Sequence, residues 1–154
     1  MKVQIVNRYV SSAMSVIGKE TGIPAQRGGL LLEGNPYTTE DVTAVIGVSG
    51  SLSGSLYLSM SESTALGMTA AILAQDMTEL DDLAQSGIAE LANVIAGTAG
   101  IELAEEGIST VINPPLVLLG RGARLSTVEI QRLVVPLETT HGEVKLHVAL
   151  REVA

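Results

Sequence analysis

Glu90 and Asn93 are two residues of this chain whose types and spacing suit joint chemistry. A carboxylate accepts charge-assisted hydrogen bonds, and an amide both donates to and accepts from a water molecule. Residues three apart on a helix stand next to each other on one face. The pair can therefore act together if a helix carries it.

The residues from Asp82 to Glu106 predict that helix. Thr78-Glu79-Leu80-Asp81 resembles a capping box that opens it, so the motif-bearing element spans roughly residues 79–106. Gly107 is a plausible C′ glycine. At about 100° per residue, the apolar residues form one stripe, which we expect to be buried: Ile88, Leu91, Ala92, Ile95, Ala99 and Leu103.

The opposite face of this helix carries Ser86, Glu90, Asn93, Gly97 and Gly100. An ordinary solvated face is one explanation. However, solvated faces are usually rich in Lys and Glu, and a glycine inside a helix costs about 1 kcal/mol relative to alanine. Two glycines on one face suggest the close approach of another molecule. From the residues alone, a docking face and a solvated face both stay open.

The rest of the chain predicts helices packed on a largely antiparallel sheet, an α+β fold. We expect a first helix over Val3–Gly18 that Thr21-Gly22-Ile23-Pro24 ends, and a second over Glu62–Leu73 with Ser61 as its N-cap. A short strand is predicted at Leu30–Leu32, followed by turn residues Gly34-Asn35-Pro36.

Period-two patterns predict the strands of the sheet. A hairpin joins Val42–Val48 to a strand that ends at Met60, and three later strands cover roughly Ser109–Leu119, Leu125–Leu137 and Glu143–Val153. Pro114-Pro115 is expected to start or interrupt an edge strand. We interpret His141 as a turn residue and His147 as a surface position of the last strand.

Composition limits the class of protein. The 154 residues suit one domain, here taken as 1–154, and there is no Cys, Phe or Trp. The net charge is −8, and between Gly28 and Gly120 there are twelve acidic residues and no Lys or Arg. This charge disfavours nucleic acid and anionic membranes. We find no signal peptide or membrane span, and expect a cytoplasmic protein.

Several segments together resemble the CheX/CheC family, phosphatases that dephosphorylate chemotaxis response regulators. The most specific is Ser86-x-x-x-Glu90-x-x-Asn93 with the downstream Pro114-Pro115. The hairpin Val45–Leu56 with Ser63–Leu66 and the N-terminal Ile5-Val6-Asn7 are also similar, so the resemblance covers nearly the whole chain. After Asn93 the predicted helix carries Glu102, Glu105 and Glu106 but no Lys or Arg. In relatives we expect some lysine there.

The resemblance implies a CheC/CheX-like fold and a partner, a phosphorylated CheY-like receiver domain. It implies that Asn93 positions the attacking water and Glu90 pairs with the receiver's lysine. Ser86 would orient Glu90, with an ordinary helix serine as the alternative, and Gly97 would let the receiver close over the helix.

The first helix has no Glu-x-x-Asn, so the chain carries one motif. One motif per chain is the CheX arrangement, and this resemblance implies a homodimer joined through its sheets. We expect no cofactor bound by this chain, and Mg²⁺ in the partner receiver. Two other hypotheses remain: a non-catalytic adaptor of the same fold that binds a two-component or flagellar-switch partner, and a structural dimerisation module.

Overall fold

A computed structural model describes residues 2–33 and 36–153. The helices in this part of the chain are α1 (Val3–Thr21), α2 (Glu62–Leu73) and α3 (Asp82–Glu105). The strands are β1 (Gln26–Arg27), β2 (Leu31–Glu33), β3 (Tyr37–Thr38), β4 (Val42–Gly50), β5 (Leu52–Met60), β6 (Thr110–Ile112), β7 (Leu116–Leu119), β8 (Arg124–Leu125), β9 (Arg132–Thr139) and β10 (Gly142–Glu152).

The main sheet is antiparallel and has the order β1-β9-β10-β5-β4-β6. At its two edges, β2 also pairs with β9 and β7 also pairs with β4, while β3 and β8 form a small separate sheet. The longest pairing joins β5 to β10, which are distant in the chain, and local hairpins pair β4 with β5 and β9 with β10. The predicted α+β class and the predicted antiparallel sheet are confirmed.

The helices cover one face of this sheet and enclose an aliphatic core. Leu56 and Leu58 of β5 and Leu146 of β10 are buried on that face together with Ile95 of α3. A hydrogen bond from Ser12 Oγ in α1 to the carbonyl oxygen of Ile95, 2.7 Å long, fastens α1 to α3. The core therefore holds α3 at its middle, close to the motif.

Local signals set the ends of the helices. Ser61 Oγ accepts from the backbone N–H of Thr64 and caps α2 as predicted. The predicted capping box that starts at Thr78 is wrong. Asp81 is the N-cap of α3, and its side chain accepts a hydrogen bond from the N–H of Ala84 at 2.9 Å. Gly22 (φ 73°) and Gly107 (φ 83°) adopt the left-handed conformation that ends α1 and α3.

Two predicted strands are shorter than expected. Pro114 and Pro115 separate β6 from β7, since proline has no N–H for the ladder. The strand predicted over Leu125–Leu137 is wrong in its first half, because β9 begins only at Arg132. In the predicted turn, Gly34 and Asn35 lie outside the described residues.

The second face of the sheet is covered as well, which corrects the prediction for His147. Tyr37 of β3 packs on the His147 ring with centroids 4.6 Å apart, and His147 is only 2% exposed. Arg132 Nη1 donates to His147 Nδ1 at 2.8 Å, and the protonated Nε2 donates to Ser59 Oγ at 2.8 Å. Burial, and then the charges of Arg132 and Lys145, lower the pKa of His147 to about 3.

By length and composition alone, α3 is able to cross a membrane. It has 24 residues and a mean hydropathy of 1.2 over an 18-residue window, of which 44% is buried within the fold. A helix that forms part of a protein core passes the same test, and α3 packs against α1 and the sheet. Burial in the core thus accounts for part of its hydropathy.

Candidate functional site

The helix α3 positions the motif by burying its opposite side. The predicted stripe lies in the core, with Ile88, Leu91, Ala92, Ile95, Ala99 and Leu103 all buried. The helix runs without interruption from Asp82 to Glu105, so the motif lies in its middle turns. Because both ends and one whole side are fixed, the direction of the free side is fixed too.

Glu90 and Asn93 lie on the side of α3 that the core does not use. Glu90 is exposed and Asn93 is half-buried. At 100° per residue they are about 60° apart around the helix axis. No side-chain hydrogen bond or ion pair engages either residue within the described part of the chain. Both polar groups are therefore available to another molecule.

Ser86 is exposed one turn before Glu90. Its hydroxyl makes no hydrogen bond to Glu90 among the described residues, so its proposed orienting role stays a prediction. It lines a shallow depression between α3 and β7, together with Ala89 and Val117. This depression extends the free face of α3 towards the sheet edge.

The two glycines of this face have different explanations. A Cβ atom at Gly100 would lie 2.9 Å from Thr110 Oγ1, so the packing of β6 on α3 accounts for Gly100 within the fold. A Cβ atom at Gly97 would have no atom within 4 Å beyond the backbone of its own helical turns. The fold itself therefore leaves the helix surface at Gly97 open.

The charges near α3 explain the run of glutamates that follows the motif. Arg8 of α1 forms ion pairs with Glu106 and with Glu102, the latter at 3.8 Å. The hydrogen bond from Arg8 lowers the pKa of Glu106. The first helix thus supplies the positive charge that the sequence after Asn93 lacks. That charge pairs with glutamates at the C-terminal end of α3.

The motif has no positive charge from its own helix, since residues 28–120 contain no Lys or Arg. Within residues 2–33 and 36–153, no group of three or more His, Asp or Glu side chains is arranged to hold a metal ion. The face thus offers one carboxylate, one amide and open helix surface. Such groups can orient water and bind a cation that another molecule provides.

Two exposed apolar residues on this face escaped the sequence analysis. Leu83 is 47% exposed and Ile101 is 68% exposed. At 100° per residue both lie about 20° from Glu90 around the helix axis. The helical projection that places Glu90 on this face places Leu83 and Ile101 there as well, so the sequence carries the signal for both.

Comparisons with known proteins agree on one family. The family model "Chemotaxis phosphatase CheX" matches residues 42–138, which include α3. The CheY-P phosphatase CheX of Thermotoga maritima is 32% identical over 128 residues, covering 82% of this chain and 83% of that protein.

Solved structures show the same fold. The chemotaxis protein CheX of Desulfovibrio desulfuricans has a TM-score of 0.88 at 26% identity, with 97% of this chain and 100% of that chain covered. A chain of the CheX–CheY–BeF3–Mg²⁺ complex of Borrelia burgdorferi has a TM-score of 0.85 at 23% identity, covering 98% and 100%. The predicted CheC/CheX-like fold is confirmed, and this chain belongs to the CheX family.

Proposed function

We propose that this chain is a phosphatase that accelerates hydrolysis of the aspartyl phosphate of a CheY-like receiver domain. The observation that carries the proposal is the pair Glu90 and Asn93, adjacent on the free side of α3 and engaged by no other described side chain. The Thermotoga maritima relative, named as a CheY-P phosphatase, supports the same activity here.

In this proposal Asn93 acts on the attacking water. Its amide accepts one hydrogen bond from the water and donates another, which aligns the water oxygen with the phosphorus atom. The new bond forms between that oxygen and phosphorus, and the bond from phosphorus to the receiver's aspartate oxygen breaks. Inorganic phosphate leaves, and the aspartate regains a free carboxylate.

Glu90 provides attachment beside the reacting group. We propose that its exposed carboxylate pairs with the receiver's lysine through a charge-assisted hydrogen bond. Such a contact in the middle of α3 would set the position of Asn93 relative to the phosphoryl group. Gly97 would let the receiver surface close over the helix, because the fold leaves that part of the helix open.

The positive charge for the reaction would come from the receiver. Phosphoryl transfer needs cations on the transferring oxygens, and residues 28–120 of this chain contain neither Lys nor Arg. We propose that the receiver contributes Mg²⁺ and its lysine, while this chain binds no metal itself. The Borrelia burgdorferi complex, which contains CheY, BeF3 and Mg²⁺, supports this division.

Two point variants test the proposal in a phosphate-release assay with a phosphorylated CheY-like receiver. Asn93→Ala should lose about 10²–10⁴-fold in kcat, the usual worth of positioning and proton transfer, while its affinity for beryllofluoride-activated receiver stays near wild type. Glu90→Ala should weaken both affinity and rate, and added salt should reduce its effect because a charge is involved.

Matched controls come from α1. Asn7 and Glu20 are exposed residues of the same types on that helix, so Asn7→Ala and Glu20→Ala should change neither quantity. Full activity in Asn93→Ala would refute the water-positioning role. A wild-type chain that binds activated receiver but releases no phosphate would instead be the non-catalytic adaptor.

We further propose a homodimer joined through the sheets, located in the cytoplasm with its receiver. Exposed apolar residues on the edge strands support this assembly, namely Leu31 and Leu32 on β2 and Leu116 and Leu119 on β7. Sedimentation equilibrium at micromolar concentration should give twice the chain mass. A stable monomer would refute the dimer and would leave the activity proposal untouched.

A further inference from the structure

We propose that Leu83 and Ile101 are two apolar anchors that hold the receiver domain on α3, one on each side of the Glu90–Asn93 pair. This inference rests on the proposed function and names the docking surface that it needs. The partner chemistry it requires is a receiver with a lysine at the centre of its contact surface and apolar side chains towards both ends.

The position of the two anchors follows from helix geometry. Leu83 lies seven residues before Glu90, or about 10 Å along the axis at 1.5 Å per residue. Ile101 lies eight residues after Asn93, or about 12 Å. Since all four residues share one side of the helix, the anchors and the motif lie in one line about 27 Å long.

The length of this line, about 27 Å, is close to the width of a typical protein–protein interface. A stable interface buries about 800 Å² on each partner, which corresponds to a patch about 32 Å across. A receiver centred on Glu90 and Asn93 would therefore cover both Leu83 and Ile101. Leu32 on β2, also exposed and apolar, lies at the far edge of the sheet, whereas Val111, Leu116 and Leu119 lie on the near-edge strands β6 and β7.

The composition of the line also fits docking better than solvation. Between Asp82 and Glu102, Glu90 is the only charged residue of α3. Ile101 is 68% exposed in spite of being apolar, and the open position Gly97 lies one turn before it. Apolar contacts around a central contact exclude water from it, and a charged contact is stronger where water is excluded.

The test measures affinity and turnover of Leu83→Ala and Ile101→Ala with the phosphorylated and the beryllofluoride-activated receiver. Alanine keeps helix propensity, and both side chains are exposed, so folding should be unaffected. Ile101→Ala removes apolar surface that the receiver would bury, so it should raise KM and Kd about 5- to 10-fold. Leu83→Ala should raise them about 3- to 5-fold, because less of Leu83 is exposed. The value of kcat should stay unchanged, and the double variant should show roughly the product of both effects.

Controls separate anchoring from general surface effects. Val3→Ala removes an exposed apolar side chain, 60% exposed, from the start of α1 and should leave KM unchanged. Ile101→Val should restore most of the affinity. The loss in the anchor variants should persist at high salt, whereas the Glu90→Ala effect fades.

The outcomes distinguish the anchor proposal from the proposed function. Active wild type with unchanged KM and Kd in both anchor variants would overturn the anchors and leave the phosphatase in place. If activated receiver binds wild type and binds the two variants more weakly, the anchors are supported, even if no phosphate is released. Wild type that neither binds nor dephosphorylates any receiver would overturn both.

Discussion

Gly97→Ala should make the protein more stable and less active, two changes of opposite sign from one methyl group. The new Cβ atom has no neighbour within 4 Å, so nothing in the fold resists it. Alanine is better than glycine inside a helix by about 1 kcal/mol. For a chain of this size that gain should raise Tm by about 2–4 °C.

The loss of activity follows if the receiver closes over the helix at this point. A methyl group forced into a packed contact typically costs about 1–3 kcal/mol, which corresponds to about 5- to 150-fold in kcat/KM. Thermal unfolding by circular dichroism and phosphate release from the phosphorylated receiver measure the two quantities on the same sample.

Gly100→Ala is the matched control on the same face of α3. Its Cβ atom would lie 2.9 Å from Thr110 Oγ1, so the helix gain should be cancelled or reversed. The double variant Gly100→Ala, Thr110→Ala removes that contact and should recover part of the gain. If Gly97→Ala kept full kcat/KM, nothing would approach the helix there, and if its Tm fell, the open space would be wrong.

Two further predictions concern buried polar groups. Tyr9→Phe should raise the free energy of unfolding by about 1 kcal/mol, because the buried Tyr9 hydroxyl has no partner among the described residues. Tyr37→Phe should lower the free energy of unfolding by a similar amount, because the Tyr37 hydroxyl contacts Thr43 Oγ1 at 3.0 Å and accepts from the N–H of Glu40. Urea titrations measure both changes, and changes of the same sign in the two variants would refute this. The His147 pKa of about 3 lies below its unfolded value, so the unfolded state binds more protons and stability should fall as pH falls from about 6.5 towards 3. His147→Gln should remove that part of the pH dependence between pH 6.5 and 5, and an unchanged slope would contradict the assignment.

The helices were predictable because each has a local signal. The bounds of α2 agree with prediction, since Ser61 is a good N-cap and its bond to Thr64 is local. The period of α3 placed the buried stripe correctly, and it placed the free face correctly except at Gly100, which packs on β6. The assignment of Glu90, Asn93, Ser86 and Gly97 to a site needed the family resemblance, because helix periodicity gives a side chain its direction and no more. Those assignments stay predictions.

The second face of the sheet was not predictable in the same way. Lys145 and His147 alternate with Val144 and Leu146, a pattern typical of a strand with one solvated face. The cover comes from β3 and β8, two-residue strands 87 positions apart by their first residues, Tyr37 and Arg124. Such short strands have no periodicity to detect. The role of Gly100 was missed for a related reason, because Thr110 reaches it only through the tertiary packing of β6.

The prolines between β6 and β7 have a consequence for aggregation. This edge offers a segment of three residues and one of four, with exposed Val111, Leu116 and Leu119. Stacking of identical strands into cross-β fibrils needs about six or seven continuous residues without proline. An aliphatic chain of this kind can therefore expose leucines at this edge without templating its own polymerisation. Two copies that met here would have to join mainly through side chains, since no long backbone ladder is available between them.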